Sequence, residues 1–181
     1  FLIAKSSLQA VVLVPTTILS RQHYNNFMQR LTPFGIRIGE LSRFVSTKER
    51  TNTISLLKEG LIDILIGTHA ILNDKIEFKK LGLICYDEEQ RLGSLQKEKL
   101  KKLWPQAHVI STTATPIPKT LSSSLSGIKD LSVILTLPFE RLSVRTYVTS
   151  FDHITISEAI RREVIGRKMG VFFVTPKIKD I

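Results

Sequence analysis

Hydrophobic positions along this chain fall into short β-branched runs separated by longer mixed segments. Val11-Val12-Leu13-Val14 is continuously apolar and is ended by Pro15, as expected of a strand buried on both faces. Residues 17–31 carry helical spacing, with Thr16 or Thr17 as the cap. Ile36-Arg37-Ile38 reads as a second strand. Residues 47–59 read as a helix capped by Ser46, with Glu49 three residues on to complete a capping box and Gly60 to end it. Residues 62–66 give a third strand, and Leu83-Ile84-Cys85-Tyr86 a fourth that runs straight into an acidic cluster. A basic helix is expected over 95–103, a fifth strand over 108–111, a helix over 117–126 entered through Pro116 and Pro118, and a sixth strand over 131–135. Residues 136–143 read as a linker. A strand over 144–148, a helix over 154–166 and a strand over 171–174 follow it.

Alternation of apolar strands with helices predicts an α/β fold: a parallel sheet covered by helices on both faces. The division predicted is a first domain over 1–137, then a linker and the opening of a second domain over 138–181. Sheets of this kind bind ligands beyond the carboxyl ends of their strands. Polar residues collect at those ends here: Pro15-Thr16, Gly67-Thr68-His69, Asp87-Glu88 and Thr113-Ala114-Thr115.

Composition adds a partner class. The 181 residues are 43% hydrophobic, enough for a sizeable core, and 26 Lys+Arg against 16 Asp+Glu leave a net charge of +10. That excess suits a polyanion, nucleic acid first, although a merely basic enzyme has the same sum. A single cysteine, Cys85, excludes an internal disulfide framework and reads as inert core. No apolar run approaches the roughly 20 residues of a spanning helix, so no membrane partner is expected. The chain opens on Phe1 without an initiator Met and reads as a piece of a longer protein.

The acidic cluster carries the chemistry. ATP hydrolysis needs Mg²⁺ beside the phosphates and an oriented water. A carboxylate mounted rigidly at a strand end serves both needs. Asp87 would hold Mg²⁺ through its water shell, and Glu88 would orient and deprotonate the water. Read alone, the pair is equally a charged turn after a strand. Thr113-Ala114-Thr115-Pro116-Ile117-Pro118 follows the next strand. Its hydroxyls are suited to bond Glu88, Gln90 or nearby backbone, although Thr and Pro also open ordinary helices.

Taken together, Asp87-Glu88-Glu89-Gln90 and the Thr-Ala-Thr-Pro-Ile-Pro run about 25 residues later resemble motifs II and III of the superfamily 2 helicases and translocases. Leu13-Val14-Pro15-Thr16 resembles motif Ia, and Gly67-Thr68-His69 a later DNA-contacting motif. Ser42-Arg43-Phe44 is similar to the sequence that bacterial transcription-repair coupling factors carry there, whereas the related RecG-type helicases usually carry Thr-Gly-Ser. The resemblance implies a RecA-like, P-loop NTPase-type domain followed by the start of a second RecA-like lobe. It implies ATP and Mg²⁺ as cofactors, with Asp87, Glu88 and Gln90 at the reaction and Thr113, Ala114 and Thr115 in coupling. It further implies double-stranded DNA along Pro15, Thr16, Arg43, Lys48, Thr68 and His69. RNA polymerase and excision-repair proteins would be met by other parts of the parent protein, in the bacterial cytoplasm.

Two features depart from that pattern. Arg91-Leu92-Gly93-Ser94 stands where the family usually has His or Arg followed by Phe-Gly-Val. A Gly-rich loop ending Gly-Lys-Thr is absent from these residues, so this polypeptide by itself is expected to be inactive on ATP while its parent is not. Competing readings are a RecG-type helicase of branched DNA and a non-catalytic nucleic-acid-binding domain.

Overall fold

The computed structural model describes residues 1–72, 76–93, 98, 102–114, 130–136 and 144–175. Two compact units are present, Phe1–Leu131 and Ser132–Ile181.

In the first unit a short helix α1 (Leu2–Lys5) leads to β1 (Gln9–Leu13), α2 (Thr17–Leu31), β2 (Ile38–Leu41), α3 (Thr47–Glu59), β3 (Ile64–Gly67), β4 (Leu81–Asp87) and β5 (His108–Thr112). The strands form one sheet in the order β2-β3-β1-β4-β5, and every neighbouring pair is parallel. The predicted α/β architecture, a parallel sheet with helices on both faces, is therefore present.

Period-two alternation explains how one sheet supplies two cores. Val11, Leu13, Leu65, Ile84 and Tyr86 point to one face, where Leu57, Ile54 and Leu56 of α3 cover them. Ala10, Val12, Val14, Ile64 and Ile66 point to the other, under Leu19, Tyr24, Phe27 and Leu31 of α2. Both helices begin and end as the sequence predicts. Thr16 caps α2 by accepting from Leu19 N–H. Ser46 and Glu49 form a reciprocal capping box on α3, and Gly60 ends that helix at φ 77°, a left-handed geometry that glycine adopts without a Cβ clash. Gly67 is required for a different reason: a Cβ there would lie 2.3 Å from the Leu41 carbonyl oxygen.

Strand ends differ from expectation by a few residues. The second strand runs over Ile38–Leu41 and not over residues 36–38. Arg37 is diverted, because its backbone N–H donates to the Asp63 carboxylate at 2.8 Å. The runs at 131–135, 144–148 and 171–174, expected as strands, are irregular. Ile134 is 89% and Phe172 99% exposed. An apolar run marks a segment fit for burial, whereas a strand also needs a hydrogen-bonded neighbour; among the described residues none pairs with these. The expected helix over 117–126 and linker residues 137–143 lie outside the described residues. Of the basic helix over 95–103, Glu98, Lys102 and Leu103 are described and helical. The second unit contains α4 (His153–Arg161), capped by Asp152 and continued by a π-helical turn over Arg162–Gly166.

At the amino edge of the sheet Gln9, only 4% exposed, acts as a peg. Its amide donates to the carbonyls of Leu57 and Ile62 at 2.9 and 2.8 Å. Its carbonyl accepts from the N–H groups of Lys79 and Lys80 at 2.7 and 3.1 Å. One side chain thus closes the end of α3, the approach to β3 and the approach to β4. Gln9→Leu keeps the volume and orphans these backbone groups. It is expected to cost about 3 kcal/mol of stability, read as a lower midpoint in urea unfolding; an unchanged midpoint would mean the peg is ornamental.

Candidate active site

Because all five strands run parallel, their carboxyl ends lie along a single edge of the sheet. Ser42-Arg43 follows β2, Thr68-His69 follows β3, Pro15-Thr16 follows β1, Glu88 follows β4 and Thr113-Ala114 follows β5. Lys48 lies in the first turn of α3, which opens from the same edge. Thr115 lies outside the described residues.

Asp87 is the last residue of β4. Leu83 and Cys85 precede it on the face that α2 covers, so alternation turns the Asp87 carboxylate toward α2. There His23 Nε2 lies 2.9 Å from Asp87 Oδ2. On the other side Asp87 stands directly beside Thr112 in the β4–β5 register, and Thr112 Oγ1 donates to Asp87 Oδ1 at 2.6 Å. Burial raises the carboxyl pKa, but the donors Thr112 and His23, with the positive character of the imidazole, outweigh burial and hold it below the ordinary value. Asp87 is thus an acceptor, and His23 Nε2 carries the proton.

Glu88 turns the chain sharply. Its backbone is left-handed at φ 53°, ψ 53°, a conformation that costs a non-glycine residue about 1–3 kcal/mol. The turn is fixed from below by Glu89 and Leu92, both buried, while the Arg91 N–H donates to the Glu88 carbonyl at 2.8 Å. Leu92 belongs to the same buried core as Tyr86 and Leu13. The Glu88 side chain accepts from Gln90 Nε2. Gln90 Oε1 in turn accepts from Thr113 Oγ1 at 2.7 Å. A continuous path of side chains therefore runs from Thr113 through Gln90 to Glu88.

The remaining candidates divide by exposure. Thr16, Arg43, Lys48 and His69 are exposed and Pro15 is half-buried. The Thr16 hydroxyl uses a lone pair to cap α2 and keeps its O–H to donate. Thr68 departs from expectation: it is 2% exposed. Its N–H bonds the Leu41 carbonyl at 3.3 Å and its carbonyl accepts from Ile71 N–H at 3.0 Å. It is a buried corner residue, and His69 is the side chain that reaches solvent. Cys85 is half-buried against the core on the α2 face and not fully inside it as expected; burial, with the Asp87 carboxylate nearby, pushes its thiol up to about 11.

Two residues of the site were not anticipated. Thr112 was detectable in principle, because β4 and β5 in parallel register pair Asp87 with it. His23 left a fainter trace: it sits four residues from both Leu19 and Phe27, a polar residue on the apolar stripe of α2.

The donor set bears on the metal. Among the described residues no cluster of three or more His, Cys, Asp or Glu could form a protein cage for an ion. A lone ionised carboxylate at an open sheet edge instead fits Mg²⁺, which is commonly bound through one or two carboxylates with waters and substrate phosphates as its other ligands.

The profile of the DEAD/DEAH box helicases matches residues 2–123. The transcription-repair-coupling factor of Escherichia coli (strain K12) is 44% identical over 181 residues, which is 100% of this chain and 16% of that protein. The factor of the same name from Bacillus subtilis (strain 168) is 46% identical over 96% of this chain and 15% of its own length. The chain thus spans about a sixth of the length of these curated relatives. Among solved structures, RecG bound to a three-way DNA junction superposes with a TM-score of 0.70 at 32% identity, covering 96% of this chain and 23% of that one.

Removing one donor from Asp87 has a signed consequence. Thr112→Val is expected to raise the Asp87 pKa toward the usual carboxylate range, followed by carboxyl ¹³C NMR in the metal-free protein. A carboxylate with a lowered folded pKa contributes stability above its unfolded value and loses it as pH falls through the folded value. The stability difference between wild type and Thr112→Val should therefore close in acid; a gap that persists there would locate the effect in packing.

Proposed function

This chain belongs to the DEAD/DEAH box helicase family, and from that premise we propose that it forms part of the motor of a longer, ATP-driven double-stranded DNA translocase of the transcription-repair coupling type. The observation that carries the proposal is the joining of Glu88, next to Asp87, to Thr113 through Gln90 on the edge that also bears Thr16, Arg43, Lys48 and His69. Identities of 44% and 46% to coupling factors, against 32% to RecG, favour this branch over the branched-DNA helicases. The acidic pair disfavours a purely non-catalytic binder.

In this reading Glu88 orients the attacking water and takes its proton. Asp87, kept ionised by Thr112 and His23, would hold the metal through its water shell. Mg²⁺, when bound with ATP, neutralises charge developing on the phosphate oxygens. Gln90 and Thr113 sense the position of Glu88, so that phosphate release is felt on the neighbouring strand end, with Ala114 and Thr115 completing the coupling loop. Pro15, Thr16, Arg43, Lys48 and His69 follow the DNA backbone without reading bases, which suits a translocase. Residues 138–181 open a second RecA-like domain; residues 144–175 take no part in the five-stranded sheet. The longer protein acts in the bacterial cytoplasm, where it displaces stalled RNA polymerase and brings in excision repair through other domains.

Two substitutions in the full-length protein test the reading. Glu88→Gln should retain ATP binding and lose turnover by at least about a hundredfold, the scale of a lost general base. Thr113→Ala should keep part of the hydrolysis while displacement of a DNA triplex falls further. Hydrolysis at the wild-type rate in Glu88→Gln would overturn the site. Equal losses of hydrolysis and displacement in Thr113→Ala would confine that residue to catalysis.

A further inference from the structure

We propose that His23 is a positioning residue for the metal–nucleotide site, holding the Asp87 carboxylate from α2 by the hydrogen bond that its Nε2 donates. The inference rests on the reading of Asp87 as the residue that faces the hydrated metal.

The geometry is specific. Each carboxylate oxygen of Asp87 has its own donor: Oδ1 takes Thr112 Oγ1 at 2.6 Å and Oδ2 takes His23 Nε2 at 2.9 Å. The carboxylate is thus clamped between β5 and α2, with the remaining lone pairs of both oxygens left for a metal's water shell. His23 and Asp87 side chains are 29% and 24% exposed, so water competes only partly for this bond. The imidazole is itself held, packing edge-to-face on Phe27 with ring centroids 6.0 Å apart and planes at 82°. An oriented donor on a ligating or metal-facing carboxylate fixes its direction, and loss of such outer partners typically weakens metal binding about 10–100-fold.

The placement of His23 gives it a second consequence. It lies seven residues beyond Thr16, the cap of α2, a span of about 10 Å along a helix. One rigid helix therefore carries a DNA-facing hydroxyl at its tip and the donor to Asp87 two turns in. Any shift of α2 imposed at the DNA is delivered to the carboxylate without an intervening loop.

The test uses Mn²⁺ as the probe, titrated by electron paramagnetic resonance into the full-length protein in the presence of ADP. His23→Leu retains the apolar stripe of α2 and removes the donor. It should weaken Mn²⁺ binding about tenfold or more, and steady-state ATPase should show a matching rise in the Mg²⁺ concentration for half-maximal rate with a smaller change in kcat. His23→Gln places an amide N–H near the position of Nε2 and should recover most of the affinity. Should His23→Leu fail to fold, His23→Asn, whose amide is too short to reach, takes its place. Asp87→Asn separates the two claims. If Asp87→Asn leaves Mn²⁺ affinity unchanged, the reading of the site fails. If Asp87→Asn loses the ion while His23→Leu binds it as wild type does, the role of His23 is refuted. Equal weakening in His23→Leu and His23→Gln also refutes it, because the ring and not the donated hydrogen bond would then be what matters.

Discussion

Val12 of β1 pairs with Ile66 of β3 on one side and with Cys85 of β4 on the other, all three strands running the same way. The site depends on that parallel pairing. Parallel strands must be joined by crossovers, so each strand returns its carboxyl end to the same edge. An antiparallel neighbour would have sent Thr113 or Thr16 to the opposite side. Register then does the finer work. Asp87 aligns with Thr112, and alternation along β4 assigns Asp87 to the α2 face while Tyr86 goes to the α3 face.

Acidic residues at a strand end become useful only when their surroundings hold them ionised and directed. The two carboxylates of the pair are handled differently. Asp87 is fixed by two donors from separate elements, which lowers its proton affinity against the opposing effect of burial. Glu88 sits on a strained left-handed turn anchored by the buried Glu89 and Leu92, and its side chain is held by an amide that is itself held by Thr113. Both arrangements combine one half-buried and one exposed hydrogen bond; they differ in that Asp87 is held directly from two elements and Glu88 through a single path of side chains.

Legibility followed the range of the interactions. Helices over 17–31 and 47–59 were readable to the residue because their ends are set by local chemistry, Thr16 on Leu19 and Ser46 with Glu49. The centres of β1, β3, β4 and β5 were readable from apolar runs, whereas that of β2, at Gly39-Glu40, was not. Strand ends were not, since they depend on partners distant in sequence, as with Arg37 and Asp63. The same limit explains the misread segments at 131–135, 144–148 and 171–174, whose apolar character says nothing about an available neighbour. In the site, Asp87, Glu88, Gln90 and Thr113 were visible as a spaced pattern. His23 was hidden because it looks like one polar residue on a helix until β4 is placed beneath it. Thr68 was misjudged because a hydroxyl in a motif does not reveal its burial.

Asp87 and Glu88, at the carboxyl end of β4, are the proposed reaction centre of an ATP-driven motor. The most direct measurement is an anomalous-scattering map from crystals of the full-length protein with Mn²⁺ and a non-hydrolysable ATP analogue. The expected result is a metal peak beside Asp87, bound directly or through one of its waters, with the terminal phosphate facing Glu88. A metal–nucleotide complex lodged away from the carboxyl edge of β4, with Asp87 still held only by Thr112 and His23, would contradict it.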